Sequence, residues 1–188
     1  MKNIIKSTLQ SLMLIAFVGA LSQTPLAAAE TAGEMEEKAR QALTELYAST
    51  PSAKVLADKA KGVLVFPEIT KGGFIVGGQY GEGVLFKNGK ASGYYNTASA
   101  SFGMQAGLQK FGYALIFMSD SDLKYLSKSE GWEIGVGPSI TIVDKGLAGS
   151  MSSTTAREGV YAFFFEQRGL MAGLGLQGTK ISQITPKG

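Results

Sequence analysis

Histidine and cysteine are both absent from the 188 residues. Without histidine there is no Ser-His-Asp or Cys-His nucleophile system, no histidine general base and no ordinary zinc site. Without cysteine there is no disulfide and no attachment point for a bacterial-style lipid anchor, so stability must come from a packed core. A membrane-length apolar run is missing as well. The candidate, Leu12–Leu21, has ten residues, about half of the ~20 that a spanning helix needs.

That run is flanked by Lys2 and Lys6 on one side and by Pro25 and Ala27-Ala28-Ala29 on the other. The pattern is that of a cleaved signal peptide over residues 1–29, with small residues where a signal peptidase reads. The expectation is an exported protein, periplasmic or secreted and not a lipoprotein, with residues 30–188 forming one domain. Strong charge of either sign is then missing too. Removing Lys2 and Lys6 from eighteen basic residues leaves sixteen, against fifteen acidic ones. A net charge near +1 gives no whole-protein attraction to nucleic acid, so any anionic partner must be met by a local patch.

Glycine is abundant and patterned. In Lys61–Phe86 (KGVLVFPEITKGGFIVGGQYGEGVLF), alternation puts Phe74, Val76, Tyr80, Val84 and Phe86 on one face. Ile75, Gly77, Gln79, Gly81, Gly83 and Leu85 line the other, which is nearly bare backbone. Such a face lets another layer approach closely and carries no group for acid–base or nucleophilic chemistry. A binding module is expected rather than a catalyst.

Upstream, Met35, Ala39, Ala42, Leu43 and Leu46 recur at helical spacing over Thr31–Tyr47. A second helix is expected from Thr50-Pro51 through Ala60, ending at Gly62 as its C′ residue. The period then turns to two, with strands expected near 63–66, 73–80, 83–87, 92–102, 104–108, 111–118, 133–137, 139–143, 159–166, 169–177 and 179–184. Asn88-Gly89 is a hairpin turn signal, and Ser119–Ser129 reads as one capped helix. The fold class is α+β: two N-terminal helices packed on a strongly twisted, mainly antiparallel glycine-rich β-sheet, as a sandwich or small barrel.

The candidate sites each have a plainer reading. Gly173–Gly178 matches G-x-G-x-x-G, but only ten residues follow, too few for the helix and further strand of a dinucleotide site. Gly83–Ala91 departs from a phosphate loop in spacing and lacks the metal-binding hydroxyl. Glu68, Glu82, Asp144 and Glu158 are scattered singly near predicted turns, which argues against a paired-carboxylate glycosidase. No metal or cofactor is expected. Tyr95, Thr97, Ser99, Ser101, Gly103, Gln105, Gly107 and Gln109 share one alternating face that could border a groove; a hydrogen-bonded interior row or a solvent face is the favoured account. Phe163-Phe164-Phe165 could be a membrane wedge, although a doubly buried strand accounts for it better.

Lys54, Lys59, Lys61 and Lys71 gather around the second helix and the first strands, and Lys110 is a further candidate. Lys54 and Lys61 share a helix face if the helix persists that far. At an anionic membrane each lysine contributes about 1 kcal/mol. Asp58 interrupts the cluster, and exposed lysines commonly serve only solubility.

Five segments in order, KGVLVFP (Lys61–Pro67), GGFIVGGQYGEGVL (Gly72–Leu85), SFGMQAGLQ (Ser101–Gln109), WEIGVG (Trp132–Gly137) and RGLMAGLGLQGTKI (Arg168–Ile181), resemble the SYLF lipid-binding domain family. The resemblance implies a non-enzymatic module that binds membranes, phosphoinositides in eukaryotic members, with actin binding in fungal ones. It places Lys61 within a family motif and Lys71 just before another. In eukaryotic members a basic amphipathic N-terminal segment contributes to lipid binding, whereas the corresponding region here begins with Glu34, Glu36 and Glu37. Export would change the partner to anionic phospholipid or another envelope lipid, with actin not expected in that compartment. The alternative expectation is an envelope module that docks a protein partner through its sheet.

Overall fold

The computed structural model describes residues 30–73, 76–102, 107–128, 130–143, 148, 159–165, 176 and 178–187. Residues 1–29, expected to be a signal peptide, and the strand expected at 169–177, apart from Leu176, lie outside them, as do Phe74, Ile75, Gly103 and Gln105.

The chain opens with helix α1 (Ala32–Ser49), started by a capping box. Thr31 Oγ1 accepts from the Glu34 amide at 3.3 Å, and the Glu34 carboxylate accepts from the Thr31 amide at 2.9 Å. Two otherwise orphaned N–H groups are thereby satisfied. Helix α2 (Pro51–Ala57) has proline in its first turn, but Thr50 makes no side-chain cap bond. It stops five residues before Gly62, which is not its C′ residue; Gly62 opens the first strand and pairs with Phe117.

Eight strands follow: β1 (Gly62–Gly73), β2 (Val76–Lys87), β3 (Lys90–Phe102), β4 (Gly107–Phe117), β5 (Trp132–Glu133), β6 (Ile140–Val143), β7 (Val160–Phe165) and β8 (Lys180–Ile184). Between β4 and β5 lies helix α3 (Asp120–Leu123), which tightens into a 3-10 turn over Lys124–Ser127. The strands form one sheet in the order β5-β8-β3-β2-β1-β4-β7-β6. It is antiparallel except for β6–β7, and it curls into a half-barrel rather than splitting into a sandwich.

Three strand expectations are corrected. The strand expected to end before Pro67 runs on to Gly73, because a β-bulge absorbs the proline. Val65 pairs with Val84 but Glu68 with Glu82, one residue out of step. A bulge is where a central strand tolerates a missing N–H donor. The strand expected at 73–80 is divided, since Gly73 pairs with Gly77 across a hairpin. The strand expected at 133–137 is only Trp132–Glu133. The chain then turns, with the Val136 amide on the Glu133 carbonyl at 3.1 Å and the Trp132 indole N–H on the Val136 carbonyl at 2.9 Å.

Both sheet faces are covered near the start of β1. Met35, Ala39, Leu46, Ala53 and Leu56 of the helices pack on Val63, Val65, Val84, Phe86, Ala114 and Ile116. The opposite face buries Leu64, Phe66, Leu85, Tyr95, Tyr113, Leu115 and Phe117 beneath Leu123, Leu126, Trp132 and Ile181. Burial on both sides explains why VLVF and YALIF are unbroken apolar runs. The bare face of β2 is filled from within the sheet. A Cβ at Gly83 would lie 2.6 Å from Cδ1 of Phe66, whose ring leans across from the bulge. Tyr80, assigned to the bulky face, lies beyond the helical cover and is 49% exposed.

Candidate functional site

The five lysines do not form one patch. Lys54 lies on α2, Lys59 in the turn after it and Lys61 directly before β1, all exposed. The helix ends at Ala57, so Lys54 and Lys61 are not on one helical face. Lys71 is ten residues further along β1, on the order of 30 Å at ~3.3 Å per residue, and pairs with Gln79 and Gln109. Lys110 is opposite Thr70 on β4. By alternation Lys71 shares the face of Ile69 and Lys110 the other. The extended, twelve-residue β1 thus separates what proximity in sequence had grouped.

Their charge is also unequally available. Lys54 is held by Asp58 one helical turn on, and Lys110 Nζ lies 2.9 Å from Glu68 Oε1. Both pairs are more than half exposed, in the class where ion pairs contribute about 0–1 kcal/mol and give way readily to another anion. Among the described residues no carboxylate pairs with Lys61.

The hairpin between β2 and β3 brings in two lysines that the sequence reading passed over. Phe86 pairs with Val63 and Lys87 with Lys90, so the tip stands beside Lys61 at the same end of the sheet. Asn88 (φ 49°) and Gly89 (φ 73°) make the turn in the left-handed region that Asn-Gly tolerates. All four tip residues are exposed. Arg40 of α1 fixes the loop, donating to the Gly89 carbonyl at 3.2 Å and lying 4.7 Å over the Phe86 ring. The signal was available: Asn-Gly fixes a two-residue turn, and that turn places Lys87 and Lys90 at the end where β1 begins.

The carboxylates are not scattered as expected. Glu68 and Glu82 are directly opposite on β1 and β2. Glu68 is engaged by Lys110, and Glu82 accepts from the Tyr80 hydroxyl at 2.7 Å. Burial, and then this bond, raises the Tyr80 phenol above its ordinary value. The pair belongs to a hydrogen-bonded surface network with Lys110 and Tyr80. Asp144 and Glu158 lie outside the described residues.

The polar row on β3 is interior at Tyr95 and Thr97 and half-buried at Ser99. Tyr95 and Thr97 are buried, and the Thr97 and Tyr113 hydroxyls are 2.9 Å apart. Gln79, opposite Ser99, donates to Thr179 Oγ1 at 3.0 Å. These groups satisfy one another, as an interior row requires. Phe163 is likewise buried among the residues under the helices, with Phe164 packed on the other cluster, so the triple phenylalanine is a doubly covered strand.

The WEIGVG turn borders a depression of about 380 Å³ lined by Lys128, Glu130, Gly131, Trp132, Glu133 and Val136. Lys128 Nζ sits 4.1 Å from the Tyr125 ring centroid and Val136 is 59% exposed. Among the described residues no three His, Cys, Asp or Glu side chains converge as metal ligands, and no helix is long and apolar enough to cross a membrane.

Residues 98–186 match the family model described as Ysc84, Las17-binding protein actin regulator. Over that range the chain is similar to the SYLF family. Three of the five motif segments fall inside the matched range, while KGVLVFP and GGFIVGGQYGEGVL precede it. No curated protein matches the chain. The match is to a family of binding domains.

Proposed function

We propose that this chain is a SYLF-type, non-enzymatic module of the cell envelope that associates with anionic lipid through lysines at the α2–β1 junction. The observation that carries the reading is Lys61: exposed, without a carboxylate partner among the described residues, and next to Lys54 and Lys59. The leader-like residues 1–29 support an exported, periplasmic or secreted location. There the partner is an anionic phospholipid, and the actin named in the family description is not encountered.

The test is co-sedimentation with neutral and phosphatidylglycerol-containing vesicles at low and high salt. Binding to anionic vesicles alone, weakened by salt, is expected. Lys54→Glu with Lys61→Glu should abolish it, and Lys71→Glu with Lys110→Glu, at the other end of β1, should reduce it less. No binding to either vesicle would overturn the proposal.

A protein-docking role is favoured by one observation. Strand β6 ends the sheet, with Thr141 exposed and Ile142 39% exposed. Strand addition there would resist salt, which separates the two readings.

A further inference from the structure

We infer that the β2–β3 hairpin tip, through Lys87 and Lys90, is the leading contact with the anionic lipid surface, so that the sheet docks end-on. The inference rests on the lipid reading above and names residues and an orientation that reading leaves open.

Two like-charged pairs face each other across this sheet, and they are treated differently. Glu68 and Glu82 are compensated, one by Lys110 and the other by Tyr80. Lys87 and Lys90 are direct partners across a two-residue turn, and among the described residues neither has a carboxylate. Like charges directly opposite destabilise a hairpin. Here the repulsion is maintained by a third cation, Arg40, whose guanidinium grips the Gly89 carbonyl from α1. Arg40 itself is paired with the Glu36 carboxylate at 3.7 Å. A local rule broken without internal compensation marks a place where the partner lies outside the chain.

The geometry selects a surface rather than an enclosed anion. The tip is a two-residue turn whose four residues are all exposed, and the depression at the WEIGVG turn includes none of them. Its ammonium groups can reach separate phosphodiester headgroups in a plane, and the clamp by Arg40 lets them do so without ordering a loose loop. Lys61, on the adjoining strand, extends the same rim.

The decisive variant is Lys87→Ala with Lys90→Ala, which keeps Asn88-Gly89 and the turn. At about fivefold per lysine, its partition onto phosphatidylglycerol vesicles should fall about 30-fold. Its melting temperature should stay level or rise, because a repulsion has been removed. The absence of native cysteine allows single-site labelling as a second measurement. A fluorophore on Ser92→Cys, beside the tip, should be quenched by spin-labelled headgroups, and one on Gln109→Cys, at the far end, should not. Wild-type binding by the double variant, or quenching at position 109 in place of 92, would overturn the inference while leaving lipid binding intact. Failure of the unaltered protein to bind any vesicle would instead overturn the function on which it rests.

Discussion

At the scale of single residues, the interior of the half-barrel shows how polar side chains are accommodated without becoming a site. Tyr113 is fully buried between Phe66 and Phe164, with ring centroids at 5.1 and 5.7 Å. Its hydroxyl has Thr97 as partner. Burial drives its phenol far above the ordinary range, outweighing the opposing effect of that bond. Burial also pushes Tyr47 up to about 12, assisted by Asp58, and raises Tyr95. In the unfolded chain these phenols ionise near pH ~10. The folded state therefore keeps protons that the unfolded state releases. The associated stability is complete below about pH 10 and is lost as pH rises toward 12 and beyond. The expected outcome is a denaturant midpoint that is steady from neutrality to about pH 9.5 and then falls steeply. A flat midpoint through pH 11.5 would contradict the burial of these rings. Alternation puts Tyr95 and Thr97 on one side of β3, but sequence alone left an interior row and a solvent face both open. The partner of Thr97 on β4 was not legible, since alternation names a face and never a neighbour.

At the scale of elements, local chemistry was the most readable level. The helical period of residues 31–47 becomes α1, and the T-x-x-E pattern at Thr31 and Glu34 is a capping box present in the sequence though not singled out there. Hydrogen bonds from Thr31 hold the Glu34 carboxyl below its usual range. A depressed carboxyl contributes above its unfolded pKa, and the contribution is lost as pH falls through the folded value. Thr31→Ala should lower stability by about 1 kcal/mol, read as a shift in the urea midpoint with unchanged slope. A neutral substitution would mean that the helix start is held by other means. One such means is the parallel bridge that Thr31 forms with Lys187. What eluded reading was the bulge. Proline usually ends a strand, and only the paired neighbours of β1 reveal that the strand passes through Pro67 one residue out of register.

At the scale of the whole molecule, strand order decides where the charges fall, and strand order is what sequence conceals. Only residues 103–106 separate β3 from β4, so proximity in the chain suggests neighbours, yet β2 and β1 lie between them. The first four strands take the spatial order 4-1-2-3 of a Greek key. Strand β8 then closes on β3, with Ile184 opposite Tyr94. The order puts β1 among the central strands and leaves β5 and β6 outermost of the described sheet. Along β1, Leu64, Val65 and Phe66 are fully buried, as are Ala114, Leu115 and Ile116 on β4, each strand bonded on both sides. Strand β5 has two residues and one neighbour. Stability should therefore be graded across the sheet. Native-state hydrogen exchange should find the amides of Leu64–Val65 and Ala114–Ile116 opening only with global unfolding. Those of Trp132–Glu133 should open at several kcal/mol less, since few bonds need break to release them. If β1 instead exchanged as readily as β5, β1 could not be central. The hairpin tip and Lys61 would then lose the common rim on which the end-on docking depends.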